Sequence, residues 1–310
     1  MVEFCPAVRY FFPQTKIPNE RHRDLKQTLL VWSLAVIGTV GFFLYQTETG
    51  PTYPVKYDIT VGGTEIEGEL IRSGDIREDM EQTIICPDQK VTADLVWRLF
   101  PPPPGETWNH QPFERDGKVL RAWLPKQKMA GKIEFTVEFH KNGETVTVPH
   151  DEAAVARYKG PVPGVVLIIH IFAMFLSLLF SNAALMDAIL GAHHLRILSR
   201  MTFGLMLAGG GVLGPMVQKY AFDAYWTGWP NGTDWTDNKL AVGAITWLIV
   251  MIICWNSNAQ NKRGRWAVIF GALVSFAIFG IPHSIHGSTL DHETGEHIQA
   301  MVSVVQNLIG

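Results

Sequence analysis

Apolar residues in this chain gather into five long runs, and between the first and second of them the pattern changes to alternation. The runs are Leu25–Tyr45, Val165–Leu190, Phe203–Phe222, Leu240–Trp255 and Trp266–Pro282. A hydrocarbon core about 30 Å thick takes roughly 20 mostly apolar helical residues to cross. The last two runs contain no Asp, Glu, Lys, Arg or His, so they read as membrane spans and not as buried helices of a soluble protein. The fourth is short, and reaches its length by taking in Asn238 and Asn256.

Between the first two runs the period is two. Val91, Ala93, Leu95, Trp97 and Leu99 alternate with Thr92, Asp94, Val96 and Arg98, and Ile133, Phe135, Val137 and Phe139 with Glu134, Thr136 and Glu138. Such strands put one face on a core and the other in water. Asn142-Gly143 suits a tight hairpin returning through Thr145–Val148, and Gly62-Gly63 predicts another between Asp58–Val61 and Thr64–Leu70. Pro101–Pro104 cannot lie within a central strand. About seven short strands in roughly 100 residues predict an immunoglobulin-like arrangement. The expected fold class is therefore a membrane α-helical bundle of about five transmembrane helices plus an extracytoplasmic all-β immunoglobulin-like sandwich.

The corresponding organisation is an N-terminal arm over 1–24, a first transmembrane helix over 25–46, the β-sandwich over 47–160, a four-helix transmembrane region over 161–286, and a tail over 287–310. In the tail, Ile298, Met301, Val302, Val305, Leu308 and Ile309 recur at helical spacing, which predicts an interfacial helix.

Charge orients the molecule. Lys16, Arg21, Arg23 and Lys26 precede the first run, Arg196 and Arg200 lie between the second and third, and Lys262, Arg263 and Arg265 between the fourth and fifth. With five spans these segments share one side, so the N-terminus is expected in the cytoplasm and the C-terminus in the periplasm of a bacterial inner membrane. The first run follows about two dozen mostly polar residues and has no small-residue cleavage site, so it reads as an uncleaved signal anchor. A net charge of -3 argues against a nucleic-acid partner. Cys5, Cys86 and Cys254 fall in different segments without a CxxC, which excludes a disulfide framework or a cysteine zinc site.

Candidate chemistry concentrates toward the outer interface. His170 in the second run and His283 after the fifth fall at similar depth, where two imidazoles would hold a b-type haem or a quinone head group. The plainer reading has His170 hydrogen-bonded to a neighbouring helix and His283 among headgroups. His286, Asp291, His292 and His297, with Glu293 and Glu296 between them, are residue types that bind zinc or another divalent ion, although their spacing matches no established motif and a solvated acidic tail is the simpler account. His110, His140 and His150 read as surface residues of the β region. Asp187 is expected to pair with Arg196 or His194, and Gly204, Gly209, Gly210, Gly211 and Gly214 predict close helix packing. Tyr220, Tyr225, Trp226, Trp229 and Trp235 predict an interfacial aromatic belt, and Asp234, Asp237, Asn238 and Lys239 the cap of the fourth span. Phe4, Tyr10, Phe11 and Phe12 are candidate partner anchors in the arm.

Gly214-Pro215-Met216-Val217-Gln218-Lys219-Tyr220-Ala221-Phe222, then Trp226-Thr227-Gly228, Thr236-Asp237-Asn238-Lys239 and Ile281-Pro282-His283-Ser284, resemble an uncharacterised group of bacterial polytopic membrane proteins. Ile169-His170-Ile171-Phe172-Ala173-Met174-Phe175 resembles another of its segments, with the proline before the histidine lost, and Ala130-Gly131-Lys132-Ile133-Glu134-Phe135 a piece of its external region. The resemblance covers 120–291 in patches and implies the topology, with no activity to carry over.

The functional expectation is a non-catalytic accessory or scaffolding subunit of a multi-subunit inner-membrane complex, respiratory or electron-transferring, docking a partner through its β region. The alternatives are a redox subunit using His170 and His283, and a metal-binding protein of the periplasmic face. A GxSxG, an HExxH and a P-loop are all absent from the sequence, which leaves a hydrolase unsupported.

Overall fold

The structure, a computed structural model, describes residues 25–50, 52–191, 193–232, 234–255, 261–282 and 287–297. Helix α1 (Leu25–Thr49) leads directly into the β region, and the remaining helices follow it: α2 (Gly164–Leu190), α3 (Leu195–Met206), α4 (Gly214–Phe222), α5 (Trp235–Cys254) and α6 (Lys262–Gly280). A π-helical stretch, Leu207–Leu213, joins α3 to α4 so that Leu195–Phe222 is one rod. Among the described residues, five helices are thus long and apolar enough to cross a bilayer, consistent with a multi-pass membrane protein.

The bundle is apolar outside, and its interior combines an apolar core around Trp247, Val250 and Val268 with a few buried polar side chains. Ile37, Val165, Phe172, Ile245, Ile252 and Phe270 are exposed, whereas Ser177, Asn182, Thr202 and Ser275 are buried. Hydroxyls and amides bind across helices because a lipid-facing polar group would have no water to replace its partner. Asn182 Nδ2 donates to Thr39 Oγ1 at 3.0 Å, Ser177 Oγ to the Thr202 carbonyl at 3.1 Å, and Trp247 Nε1 to Ser275 Oγ at 2.8 Å. Of the five glycines expected to allow close packing, Gly209 and Gly210 do so, whereas a Cβ on Gly204 would meet nothing within 4 Å. A Cβ on Gly209 would lie 2.8 Å from Ala173 Cβ, and one on Gly210 2.2 Å from Leu240 Cδ1.

Eleven strands form the β region: β1 (Val55–Val61), β2 (Thr64–Leu70), β3 (Ser73–Asp75), β4 (Met80–Ile85), β5 (Thr92–Phe100), β6 (Asn109–Pro112), β7 (Glu114–Asp116), β8 (Val119–Leu124), β9 (Lys132–Lys141), β10 (Glu144–Val148) and β11 (Ala154–Lys159). They make three sheets: the β1–β2 hairpin, β4–β8–β7, and a six-stranded sheet ordered β3–β11–β9–β5–β6 with β10 on β9. Both expected hairpins form. Val61 pairs Thr64 across Gly62-Gly63, Lys141 pairs Glu144 across Asn142-Gly143, and all four turn residues have positive φ. Ile59, Ile66, Ile84, Leu95, Leu120, Phe135, Phe139 and Tyr158 fill one common core.

The expected immunoglobulin-like sandwich set apart outside the membrane is not what forms. The β region begins at Val55, on the N-terminal side of four of the five spans, and has eleven strands in three sheets, with a parallel pairing of β3 and β11. It is also built onto the bundle. The Gly160 amide donates to the Ala221 carbonyl at 2.9 Å, and residues 287–297 return from α6 to lie against β9. The alternating pattern reveals only the long strands; β3, β6 and β7 are three or four residues each and exist through their neighbours' hydrogen bonds.

The bundle has two chemically different ends. At one, Gln27 Nε2 donates to the Leu190 carbonyl at 2.6 Å, Arg265 Nε to the Ala188 carbonyl at 2.9 Å, and the Arg200 guanidinium lies 4.1 Å over the Trp255 ring. At the other, Tyr45 Oη donates to the Gly280 carbonyl and Lys239 Nζ to the Ile281 carbonyl, beside the sheets.

Candidate functional site: the junction of helices and sheets

The loop from α4 to α5 ends in Asp234, which caps α5. Its Oδ1 accepts from the Thr236 amide at 2.7 Å. A carboxylate at a helix N-terminus takes up an orphan amide and meets the positive end of the helix dipole. Asp234 Oδ2 reaches further, accepting from Thr227 Oγ1 at 3.1 Å, the Ser288 amide at 2.9 Å and Ser288 Oγ at 3.2 Å. Asp237, one turn on, accepts from the Thr227 amide at 2.6 Å, the Gly228 amide at 2.9 Å and Gln218 Nε2 at 3.1 Å. Asn238 Oδ1 accepts from the Trp229 amide. Gln218, Thr227, Asp234, Asp237 and Ser288 are all buried. Gly228 is required by space, since a Cβ there would fall 2.6 Å from Asp237 Cβ.

From Ser288 the network passes into the sheets. The Leu290 amide donates to the Ala130 carbonyl at 3.1 Å, and Lys132 Nζ donates to the Gly287 carbonyl at 3.2 Å and to Thr289 Oγ1. Lys132 is only 4 % exposed. Burial pushes its amine down to about 7; Arg157 acts in the same direction and Asp234 opposes. Burial also lowers Arg157 to about 10, reinforced by Arg72 and again opposed by Asp234. Residues 287–297 thus form a strap, closed on itself by Asp291 N to the Glu296 carbonyl and by the Leu290–His297 bridge.

A cavity of about 130 Å³ lies in this junction, walled by Phe100, Pro101, Thr227, Asp234, Gly287, Ser288, Thr289 and His297. Its carboxylate, hydroxyl and imidazole groups suit several ordered waters or a small polar guest.

The other candidate residues are dispersed. His170 Nδ1 hydrogen-bonds the Gly209 carbonyl at 2.8 Å, in the π-helical stretch. His283 and His286 lie outside the described residues, as do Phe4, Tyr10, Phe11, Phe12 and the interfacial helix expected after residue 297. Asp291 Oδ1 accepts from the Glu293 and Thr294 amides, His292 Nε2 faces the Phe100 carbonyl at 3.3 Å, and His297 lines the cavity. Among the described residues, no three His, Cys, Asp or Glu side chains are grouped to hold a metal ion. The start of the strap is packed, with Ser288 and Leu290 buried, whereas Glu293, Thr294, Gly295 and Glu296 are exposed, as a solvated acidic stretch would be. Asp187 takes the His194 amide on Oδ2 at 2.7 Å, and His140 sits between Asp94 and Thr145 on the sheet surface. Tyr220, Tyr225, Trp229 and Trp235 are exposed near the junction.

Lys132, Gln218 and Ser288 carry the junction, and none of them is a candidate for chemistry in the sequence. Lys132 shares strand parity with Glu134, Thr136 and Glu138, so the β9 pattern assigns it to the solvent face, and the strap covers it there. Comparison with protein-family models, with curated proteins and with solved structures yields no match to this chain.

Proposed function

We propose that the chain is a non-catalytic scaffolding subunit of a multi-subunit membrane complex, with the helices as its anchor and the sheets as a rigid docking platform. The observation that carries this reading is the buried junction. Asp234, Ser288 and Lys132 hold the β region in a fixed position on the bundle, whereas a flexible tether would leave a docked partner free to swing. The outer face of β1–β2 supports it further. Asp58, Glu65, Glu67 and Glu69 are exposed there with Lys56, and Asp58 stands directly opposite Glu67. Like charges opposed across a ladder are destabilising, and a basic partner would offset them. The basic end of the bundle then faces the cytoplasm and the sheets face the periplasm of the inner membrane.

The test is extraction of native membranes in mild detergent, followed by mass determination and identification of stoichiometric companions. A defined assembly that dissociates in high salt, or on replacing Glu65, Glu67 and Glu69 by Gln, supports the reading. A stable monomer sinks it.

A second reading makes the chain an electron-transferring subunit in which His170 contacts a b-type haem or a quinone. Its support is the bond from His170 to the Gly209 carbonyl: with Nδ1 donating, the ring is oriented and Nε2 is left for a ligand. A Soret band in the purified protein that disappears in His170→Ala supports haem, and its absence removes haem.

A further inference from the structure

Lys26 at the start of α1, Arg196 and Arg200 in the first turns of α3, and Lys262, Arg263 and Arg265 at the start of α6 come together at the bundle end remote from the sheets. Contacts already described place them there: Gln27 and Arg265 meet the last turn of α2, and Arg200 meets the end of α5. Among the described residues, the carboxylate at this end is that of Asp187, which is 0 % exposed and engaged by His194. Arg265 spends its Nε and Nη2 on the Ala188 and Ile189 carbonyls, which are orphan acceptors at a helix C-terminus. Arg200 is stacked on Trp255. Lys26, Arg196, Lys262 and Arg263 are exposed.

Their surroundings set the level of these charges. Leu25, Ile197, Trp255 and Trp266 are exposed beside them, Trp266 at 69 %. Tryptophans next to cations at the ends of apolar helices mark the headgroup plane of a bilayer. Cations held at that plane, with no exposed acid among the described residues to neutralise them, are complementary to lipid phosphates carrying net negative charge. A zwitterionic headgroup offers each phosphate already paired with its own ammonium.

We infer that this end of the bundle is a binding surface for the headgroups of anionic phospholipids, with Arg196, Lys262 and Arg263 making the direct phosphate contacts. It lies at the opposite end from the docking platform and does not depend on it.

The full-length protein, purified in neutral detergent, is offered phosphatidylglycerol and phosphatidylcholine in equal amounts, and retained lipids are counted by native mass spectrometry. The wild-type chain is expected to retain phosphatidylglycerol preferentially. The triple variant Arg196→Gln, Lys262→Gln, Arg263→Gln lowers that preference by about tenfold or more, while Lys56→Gln and Lys118→Gln in the β region leave it unchanged. Since neutralising basic flanks also affects membrane insertion, a second arm keeps the wild-type chain and raises the salt, which weakens exposed charge interactions. Equal retention of both lipids by the wild type overturns the assignment. So does an unchanged preference in the correctly folded triple variant, a preference insensitive to salt, or displacement of the lipid by inorganic phosphate at matched concentration.

Discussion

Replacing Asp234 by alanine removes the α5 cap and the acceptor for three groups brought from elsewhere in the chain, the Ser288 amide, Ser288 Oγ and Thr227 Oγ1. Loss of an N-cap costs about 1 kcal/mol. Each buried donor left without an acceptor costs about 1–3 kcal/mol. Thr227 Oγ1 retains Ser288 Oγ as a neighbour at 2.8 Å, so its share is at the low end. The Ser288 amide borders the cavity, and an entering water recovers part of its loss. The sum is about 3–4 kcal/mol, and it falls on the strap and the start of α5 before it falls on the bundle. Asp234→Asn keeps one oxygen acceptor, so it should cost about half as much. Amide hydrogen exchange in detergent reads this directly. The Leu290 amide, bound to the Ala130 carbonyl, should exchange much faster in Asp234→Ala, while the β1–β2 and β9–β10 hairpins keep their protection. Unchanged exchange across 287–297, or loss of protection everywhere at once, would refute the assignment of Asp234 as the hub.

Three further changes probe the same framework. Lys132 has a folded-state pKa near 7 against 10.5 for the free amine, so between those values the unfolded chain binds more protons and stability should rise with pH; below about pH 7 the cost of burying the charge is fully present. Thermal midpoints taken from about pH 6 to pH 9 should climb in the wild type and flatten in Lys132→Met. Gly228→Ala drives a Cβ into Asp237 Cβ, which sits on a helix and cannot yield, and should lower stability by about 1–3 kcal/mol in the same assay. Trp247→Phe deletes the bond to Ser275 inside the bundle at a cost of about 1–2 kcal/mol, with Cys86 and Cys254, the buried thiols among the described residues, available in a Cys5→Ser background as reporters of unfolding by reaction with a fluorogenic maleimide.

The spans were legible because a bilayer demands an apolar run of fixed length, and the hairpins because Gly62-Gly63 and Asn142-Gly143 supply the positive φ that their turns need. The ends of the spans were less so: capped by Asp234, α5 begins at Trp235, five residues before the apolar run starts. The strap was not legible. Lys132 meets Gly287 across 155 positions of sequence, and its partner is a backbone carbonyl that any residue would supply. The expected sandwich failed for the same reason, since strand alternation reports which face is buried but not what buries the other one. Of the residues expected to cap the fourth span, Asp234 does so, whereas Asp237 lies within α5 and binds the Thr227 and Gly228 amides of the loop; these contacts and the hold of Asp234 on Ser288 depend on which loops converge there.

The strap has a consequence for how the molecule is made. The β region leaves the ribosome after a single span, yet the segment that covers Lys132 is synthesised only after α6. Until then the amine at the head of β9 lacks its acceptors, and the α5 cap lacks Ser288. The sheets can pair early and Gly160 can meet Ala221 once α4 is made, but the strap's share of their seating waits for the whole bundle to be threaded. Closure of the junction therefore registers that every span has arrived, and a chain halted before Gly287 would display an unseated β region to the quality-control proteases of its compartment.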